Sequence, residues 1–483
     1  LHPYVVERFK ITRMTMPADS LSHDSIAVTL TKEKVAARFP SALAHLGNLV
    51  RIPGIAWDAF DAQNLEQSAE AVATLFRETG VFEMVEIRRA MADGKMGAPA
   101  VVARRAARNG RPQILLYAHH DVQPPGDLSV WKTPEFEPTL IDGRIFGRGA
   151  ADDKAGIVTH LTAVQTLVDM VGEEFEIGLS VFIEGEEEAG SPSFRNFLEE
   201  NRDVLEADVI VVADSANWTT TIPALTTTLR GLVSQVIEVQ TLDHAVHSGM
   251  FGGAVPDAMT ATIKLLASLH DEVGDVAVEG LHSTKASNLD FTEEQLRIDS
   301  GLLDGVSMIG RGSILDRIWT KPSITVIGID AMSVAMSSNT LLPSVKAKIS
   351  MRIAPGQEPA DALALLRAHL EKNTPFGAKL SYGEVEMGKP FEAKADGWAK
   401  QLANASLSAA FGNESVDIGI GGSIPFIADL LEVFPSAQIL VTGVEDADSR
   451  AHSPNESVHV DTLRGAMVAE SLFLIKGNEL RVN

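Results

Sequence analysis

Residues 118–124 read AHHDVQP and follow directly on the apolar run ILLY at 114–117. The pattern predicts a strand that delivers His119 and Asp121, two residues apart, from one face. An imidazole and a carboxylate then project together beyond the strand's carboxyl end, the usual place for ligands in an open α/β sheet. Alone, the pair is as well read as an ordinary buried polar contact. Its weight depends on what the other strand ends carry.

Working outward, polar residues recur where apolar segments stop. GRGAADDKAGI (147–157) precedes a helix with Ile157, Leu161, Val164, Leu167 and Val171 on one side, ending at Gly172. The strand IGLSVFI runs into EGEEEAGS (184–191), and DVIVVADS ends on Asp214 and Ser215. Upstream, Val35, Phe39, Leu43, Leu46 and Val50 recur at helical spacing, with Pro40 marking a kink or a restart. A second helix is capped by Asn64, with Gln67 three residues on, and stops at Gly80. Strands at 82–88 and 100–104 flank the Asp93-Gly94 turn. Alternating strands and helices with polar strand ends predict a mainly parallel α/β sheet covered on both faces.

The pattern changes near Leu225. Strand 232–240, helix 258–269, strands 323–329 and 346–353, helix 360–370 and strand 380–386 give β-α-β-β-α-β, the ferredoxin-like order, interrupted by a segment at 280–320 expected to be helical decoration. From 394 the first style resumes with a helix through Trp398, Leu402 and Leu407, then GIGGSIP, QILVTG, AHSPNE and a final helix. The expected organisation is a first catalytic part at 1–224, an inserted domain at 225–392 and a second catalytic part at 393–483.

Composition narrows the chemistry. A net charge of −24 argues against nucleic-acid backbones and anionic membranes as partners and leaves small solutes. The chain has no Cys, so thiolate nucleophiles and thiolate-bound zinc are excluded and any metal must be held by His, Asp and Glu. No apolar stretch reaches membrane-spanning length, and the charges in LHPYVVERFKITRMTM break any signal-peptide core. A cytoplasmic protein is expected, with no function assigned to those opening residues.

The strand-end residues are His119, Asp121, Asp152, Glu187, Glu188, Asp214 and, much later, His452. Singly each has a bland reading, as a solvated turn carboxylate, a helix cap or a surface histidine. If the sheet gathers them, the carboxylates repel; two unit charges about 4 Å apart cost about 4 kcal/mol at an effective dielectric of about 20. Two divalent ions, zinc first and manganese or cobalt as alternatives, would relieve that repulsion. Water between them is the expected nucleophile, with Glu187 or Glu188 as its base and the other as a ligand. Spacing does not decide which.

Taken together, HHDVQP, GRGAADDKAG, EGEEEAGS, VADS and AHSPNE, in this order, resemble the dinuclear metallopeptidases that include carnosinase-type dipeptidases, glutamate carboxypeptidase, aminoacylase and succinyl-diaminopimelate desuccinylase, with the wording closest to the dipeptidase branch. The resemblance covers nearly all the chain past residue 31. It implies that His119 and Asp214 hold one metal, Glu188 and His452 the other, and that Asp152 bridges them. Glu187 becomes the general base and Asp121 the partner that orients His119. A cis peptide after Asp152 is implied as well.

In the inserted domain, expected to act as lid and dimerisation unit, the resemblance makes His247 in HSGMFGG the histidine that reaches a partner subunit's active site. It makes Arg352 in SMRIAPGQ the holder of a substrate carboxylate. Asn339, Thr340, Gly422 and Ser423 are implied to line the substrate pocket. Two departures accompany the match. Gly419 and Ile420 stand where dipeptidases often have an Arg-Glu pair, and AVHSG replaces a more acidic, Leu-containing lid motif. The expected activity is hydrolysis of an amide bond in a small carboxylate-bearing substrate, a dipeptide, by a homodimer. N-acyl amino acid deacylation on the same machinery and a non-catalytic binding protein of the same fold are the alternatives.

Overall fold

A computed structural model describes residues 26–393, 397–422 and 425–482. Ser423 and the opening residues lie outside the described residues.

The strand that opened the sequence reading, Gln113–His119, lies inside a nine-stranded sheet. Its neighbours are Gly178–Glu184 and Val209–Val212, and Gln438–Val441 follows on the Val209–Val212 side; these four run parallel. Antiparallel strands extend the sheet outward, Ala100–Arg105 then Met84–Arg88 on one side and Ala224–Leu229 then Phe391–Glu392 on the other. Every residue of Gln113–His119 and of Gly178–Glu184 is buried, as expected of parallel strands covered on both faces. The two-residue period divides the core accordingly. Ile114, Leu116 and Ala118 join the layer containing Val35, Leu46, Leu161 and Leu472, while Leu115 and Tyr117 face Phe182, Phe194 and Phe426.

Two helix readings change in detail. Ile26–Val50 is one helix with Pro40 inside it. Its buried residues Val35, Phe39, Ala42 and Leu46 hold the same core layer before and after the proline. The second helix, Ala62–Glu78, is capped by Asp61, whose Oδ1 accepts from Gln63 N at 3.0 Å. Asn64 falls inside the helix. Asp61 outcompetes it because its carboxylate reaches an amide that no earlier turn can satisfy.

The second sheet has four strands, Ser323–Asp330, Ser344–Ile353, Gly231–Gln240 and Lys379–Gly388 in spatial order, all antiparallel to their neighbours. Helices Ala258–Ala267 and Pro359–Asn373 contribute Leu265 and Leu366 to a core with Val233, Ile237 and Ile349. This is the ferredoxin-like arrangement read from the sequence. The segment at 280–320 holds the helix Glu293–Ser300 and a π-helical turn at Asp316–Thr320.

The boundary expected at 225 falls inside Ala224–Leu229, a strand of the large sheet paired in parallel with Val416–Ile420. The chain changes sheets between Leu229 and Gly231. Only Arg230 separates the strand Ala224–Leu229 of the large sheet from the strand Gly231–Gln240 of the small one. Arg230 secures the crossing by donating to Gly421 O at 2.9 Å and Ser323 Oγ at 3.0 Å.

Beyond the parallel strands, the loops after Val212 and Val441 run against each other. Asn217 N donates to Glu445 O at 2.8 Å, and Asn217 Nδ2 to Gly443 O at 3.0 Å. A Cβ on Gly443 would lie 1.9 Å from Ser215 O. Gly443→Ala should therefore destabilise the protein by about 1–3 kcal/mol in chemical denaturation. Parental stability in that variant would show that the two loops tolerate separation.

Candidate metal centre

The carboxyl ends of the parallel strands bring the expected residues together. His119 ends its strand, Glu187 and Glu188 form a short 3-10 turn after Gly178–Glu184, and Asp214 follows Val209–Val212. Asp152 lies just before the helix Lys154–Val171, joined to Asp153 by a cis peptide. His119 Nε2 is 2.9 Å from Asp152 Oδ1. His452 Nε2 is 3.0 Å from Asp152 Oδ2 and 3.1 Å from Glu188 Oε2. Two triads result, His119–Asp152–Asp214 and Asp152–Glu188–His452, each with ligand atoms within 4.8 Å of one another, and Asp152 belongs to both. Imidazole and carboxylate donors arranged in this way suit a pair of divalent ions sharing one carboxylate.

Neighbouring groups fix these side chains. His119 Nδ1 lies 3.1 Å from Asp121 O and 3.4 Å from Asp121 Oδ1, so its other nitrogen faces Asp152. The Asp121 carboxylate also accepts from Glu187 N at 3.1 Å and Glu188 N at 3.0 Å. Gln123 Nε2 donates to Glu188 Oε2 at 2.6 Å. His120 points elsewhere, with Nε2 2.8 Å from Pro99 O, and burial pushes its pKa down to about 4. Glu186 is occupied by Ala98 N and Ser193 N, each at 2.8 Å. Among the described residues, no hydrogen-bond partner is present for the Glu187 side chain.

Charge crowding is visible throughout the centre. Desolvation, with repulsion from Asp152 adding to it, pushes Asp214 up to about 7. Desolvation also raises Glu187 well above the usual carboxylate range, and Asp214, Glu184 and Glu188 add to the effect. Hydrogen bonding to Asp152 and Glu188 pushes His452 up to about 11. Every carboxylate raised here, and every histidine stabilised as a cation, reports a site that favours positive charge.

The substrate residues of the smaller sheet assemble separately. His247 pairs in register with Thr340, and Ser248 N donates to Asn339 O at 2.9 Å. His247 is exposed, and its Nδ1 accepts from Gly249 N at 3.1 Å. Among the described residues, neither a hydrogen bond nor an ion pair joins His247, Asn339 or Thr340 to the centre. Arg352 lies opposite Leu232 and Ser323 in the sheet. Burial and the charge of Arg352 together push Arg230 down to about 10. Gly422 follows Gly421, the acceptor for Arg230.

Two acidic residues escaped the sequence reading. Glu445 follows the strand Gln438–Val441, with its carbonyl bound to Asn217 N; desolvation and repulsion from Asp152 and Asp214 raise its carboxyl well above the usual range. Its position after QILVTG was the available signal. Glu456, the last residue of AHSPNE, is fully buried and accepts hydrogen bonds from the Asp152 segment. A carboxylate inside a motif already rich in polar residues gave no separate cue.

Residues 115–474 match the family described as Peptidase family M20/M25/M40. The chain is 35% identical to the cysteinylglycine-S-conjugate dipeptidase of Corynebacterium striatum, over 75% of this chain and 81% of that protein. It is 26% identical to the Cys-Gly metallodipeptidase dug1 of Schizosaccharomyces pombe, over 87% and 92% of the two chains. The structure of human carnosine dipeptidase 1 shares the fold, with a TM-score of 0.72 and 22% identity, covering 94% of this chain and 100% of the other. The chain therefore belongs to peptidase family M20/M25/M40 and falls on its dipeptidase side. It is a metal-dependent hydrolase of peptide bonds.

The division of labour between the adjacent histidines can be measured. His119→Ala should reduce bound metal by one ion per chain in elemental analysis, whereas His120→Ala should leave the stoichiometry unchanged. Equal metal content in both variants would remove His119 from the ligand set.

Proposed function

We propose that this protein hydrolyses dipeptides with a free carboxylate, using two divalent ions, zinc by preference, held by His119 and Asp214 on one side, Glu188 and His452 on the other, and Asp152 between them. The observation that carries the reading is the pair of triads sharing Asp152, with Glu187 beside them and outside both. Bound ions would supply Lewis acidity, polarising the scissile carbonyl and lowering the pKa of water.

The remaining work falls to the chain's own side chains. Glu187 takes the proton of the attacking water and returns it to the leaving amine. Its lack of a hydrogen-bond partner and its raised pKa suit a group that must exchange a proton. Asp121 orients His119 through the ring nitrogen and holds the Glu187 turn through its carboxylate. Arg352 offers a planar fork to the substrate carboxylate, and Asn339, Thr340 and Gly422 line the pocket.

His247 acts in the partner subunit of a homodimer, where it polarises the scissile carbonyl. Its exposure and its separation from the centre of its own chain support this role. So does the apolar surface of the edge strand and following loop, where Ile327, Ile329, Met332, Val334 and Met336 are exposed. Exposed apolar groups along the outer edge of a sheet favour association.

The relatives' names make cysteinylglycine and its S-conjugates the first substrates to try. A dipeptide panel should be turned over faster than an N-acyl amino acid panel, and chelation should abolish turnover. Preference for N-acyl amino acids would replace the dipeptidase reading with deacylation. Glu187→Gln should lower kcat by about 100-fold or more while retaining both ions. Unchanged hydrolysis would disqualify Glu187 as the base.

A further inference from the structure

Glu456 holds together two segments that are distant in sequence. Its Oε1 accepts from Ala151 N at 2.9 Å and Asp152 N at 3.1 Å. Its Oε2 accepts from Gly149 N at 3.0 Å and Arg148 Nη1 at 2.6 Å. The same guanidinium donates through Nη2 to Ser453 O at 3.2 Å, and Gly147 N donates to Glu456 O at 3.0 Å. Both side chains of the ion pair are essentially without solvent contact, at 1% and 0% exposure, so no water substitutes for a lost partner. Glu456 lies four residues after His452, in a turn where His452 and Asn455 have φ of 61° and 66°. The loop carrying one metal-facing imidazole thus grips the backbone of the carboxylate common to both triads.

We infer that Glu456 is a positioning residue that sets Asp152 against His452, and so determines the affinity for the ion held by Asp152, Glu188 and His452. The inference rests on the two-ion reading above. A neutral amide at this position cannot serve, because the four bonds to Glu456 all come from donors. Gln would place its own NH2 against two of them, so that the grip is lost either on Ala151 and Asp152 or on Arg148 and Gly149. The His119–Asp152–Asp214 triad keeps His119 fixed through Asp121, independently of Glu456. The Asp152–Glu188–His452 triad depends on the Glu456 grip at two of its three members.

Zinc titration of the chelator-stripped full chain, followed by calorimetry and elemental analysis, separates the possibilities. Wild type should take two ions. Glu456→Gln, with unchanged far-UV circular dichroism, should keep one ion and bind the second about 10–100-fold more weakly. Glu456→Asp, which retains the charge but shortens the reach, should weaken the same ion less. A purely structural ion pair would lower thermal stability without selecting one ion. Two ions bound within twofold of wild type in either folded variant would overturn the inference, as would equal weakening of both. If Glu456→Gln does not fold, Glu456→Asp decides the matter alone. Failure of wild type to bind two ions would instead overturn the two-ion reading, and this inference with it.

Discussion

Asp152, Glu187, Glu188 and Asp214 converge at the carboxyl ends of parallel strands, and the arrangement persists only while their mutual repulsion is offset. Each pair about 4 Å apart opposes the fold by about 4 kcal/mol at an effective dielectric of about 20. His119 and His452 answer part of this through Asp152. Divalent ions would answer much more. The surrounding protein is therefore built to prevent escape, since a carboxylate free to rotate would relieve the repulsion by turning into solvent.

Rigidity comes from the backbone more than from side-chain packing. Asp121 uses both carboxylate oxygens to hold the amides of Glu187 and Glu188, and Glu456 uses both to hold the segment leading to Asp152. Glycine at 443 lets the loop after Gln438–Val441 lie against Ser215, one residue beyond Asp214. Buried strands set the spacing on which these contacts rest. The positions of the charged groups are thus inherited from an apolar core whose two faces alternate along ILLY.

Much of this was legible because parallel strands leave a simple record, apolar runs ending in polar residues. His119, Asp152, Glu188, Asp214 and His452 were found that way, and the structure brings them together. The ferredoxin-like order was legible from six periodic segments. Elsewhere the record was ambiguous. Asn64 reads as the cap in the sequence, whereas Asp61 holds that place through the amide its carboxylate reaches. The change of pattern is legible near Leu225, but the strand Ala224–Leu229 is not, because only Arg230 separates it from the next strand. Glu456 was hidden by its burial: three of the four donors to its carboxylate are main-chain amides, which no side-chain pattern announces.

The separation of Glu187 from Glu188 does not come from the alternation of an extended segment. Alternation along an extended segment would send adjacent side chains to opposite faces. The residues instead form a 3-10 turn, Glu187–Ala189. Their side chains diverge because Asp121 pins both amide groups, while Gln123 draws Glu188 toward His452. Among the described residues, Glu187 is left with no competing partner. The place of Glu188 therefore depends on Gln123 as much as on the turn, and AHHDVQP supplies three parts of the centre: the His119 imidazole, the Asp121 carboxylate that meets its ring and holds both amides, and the Gln123 amide that holds Glu188.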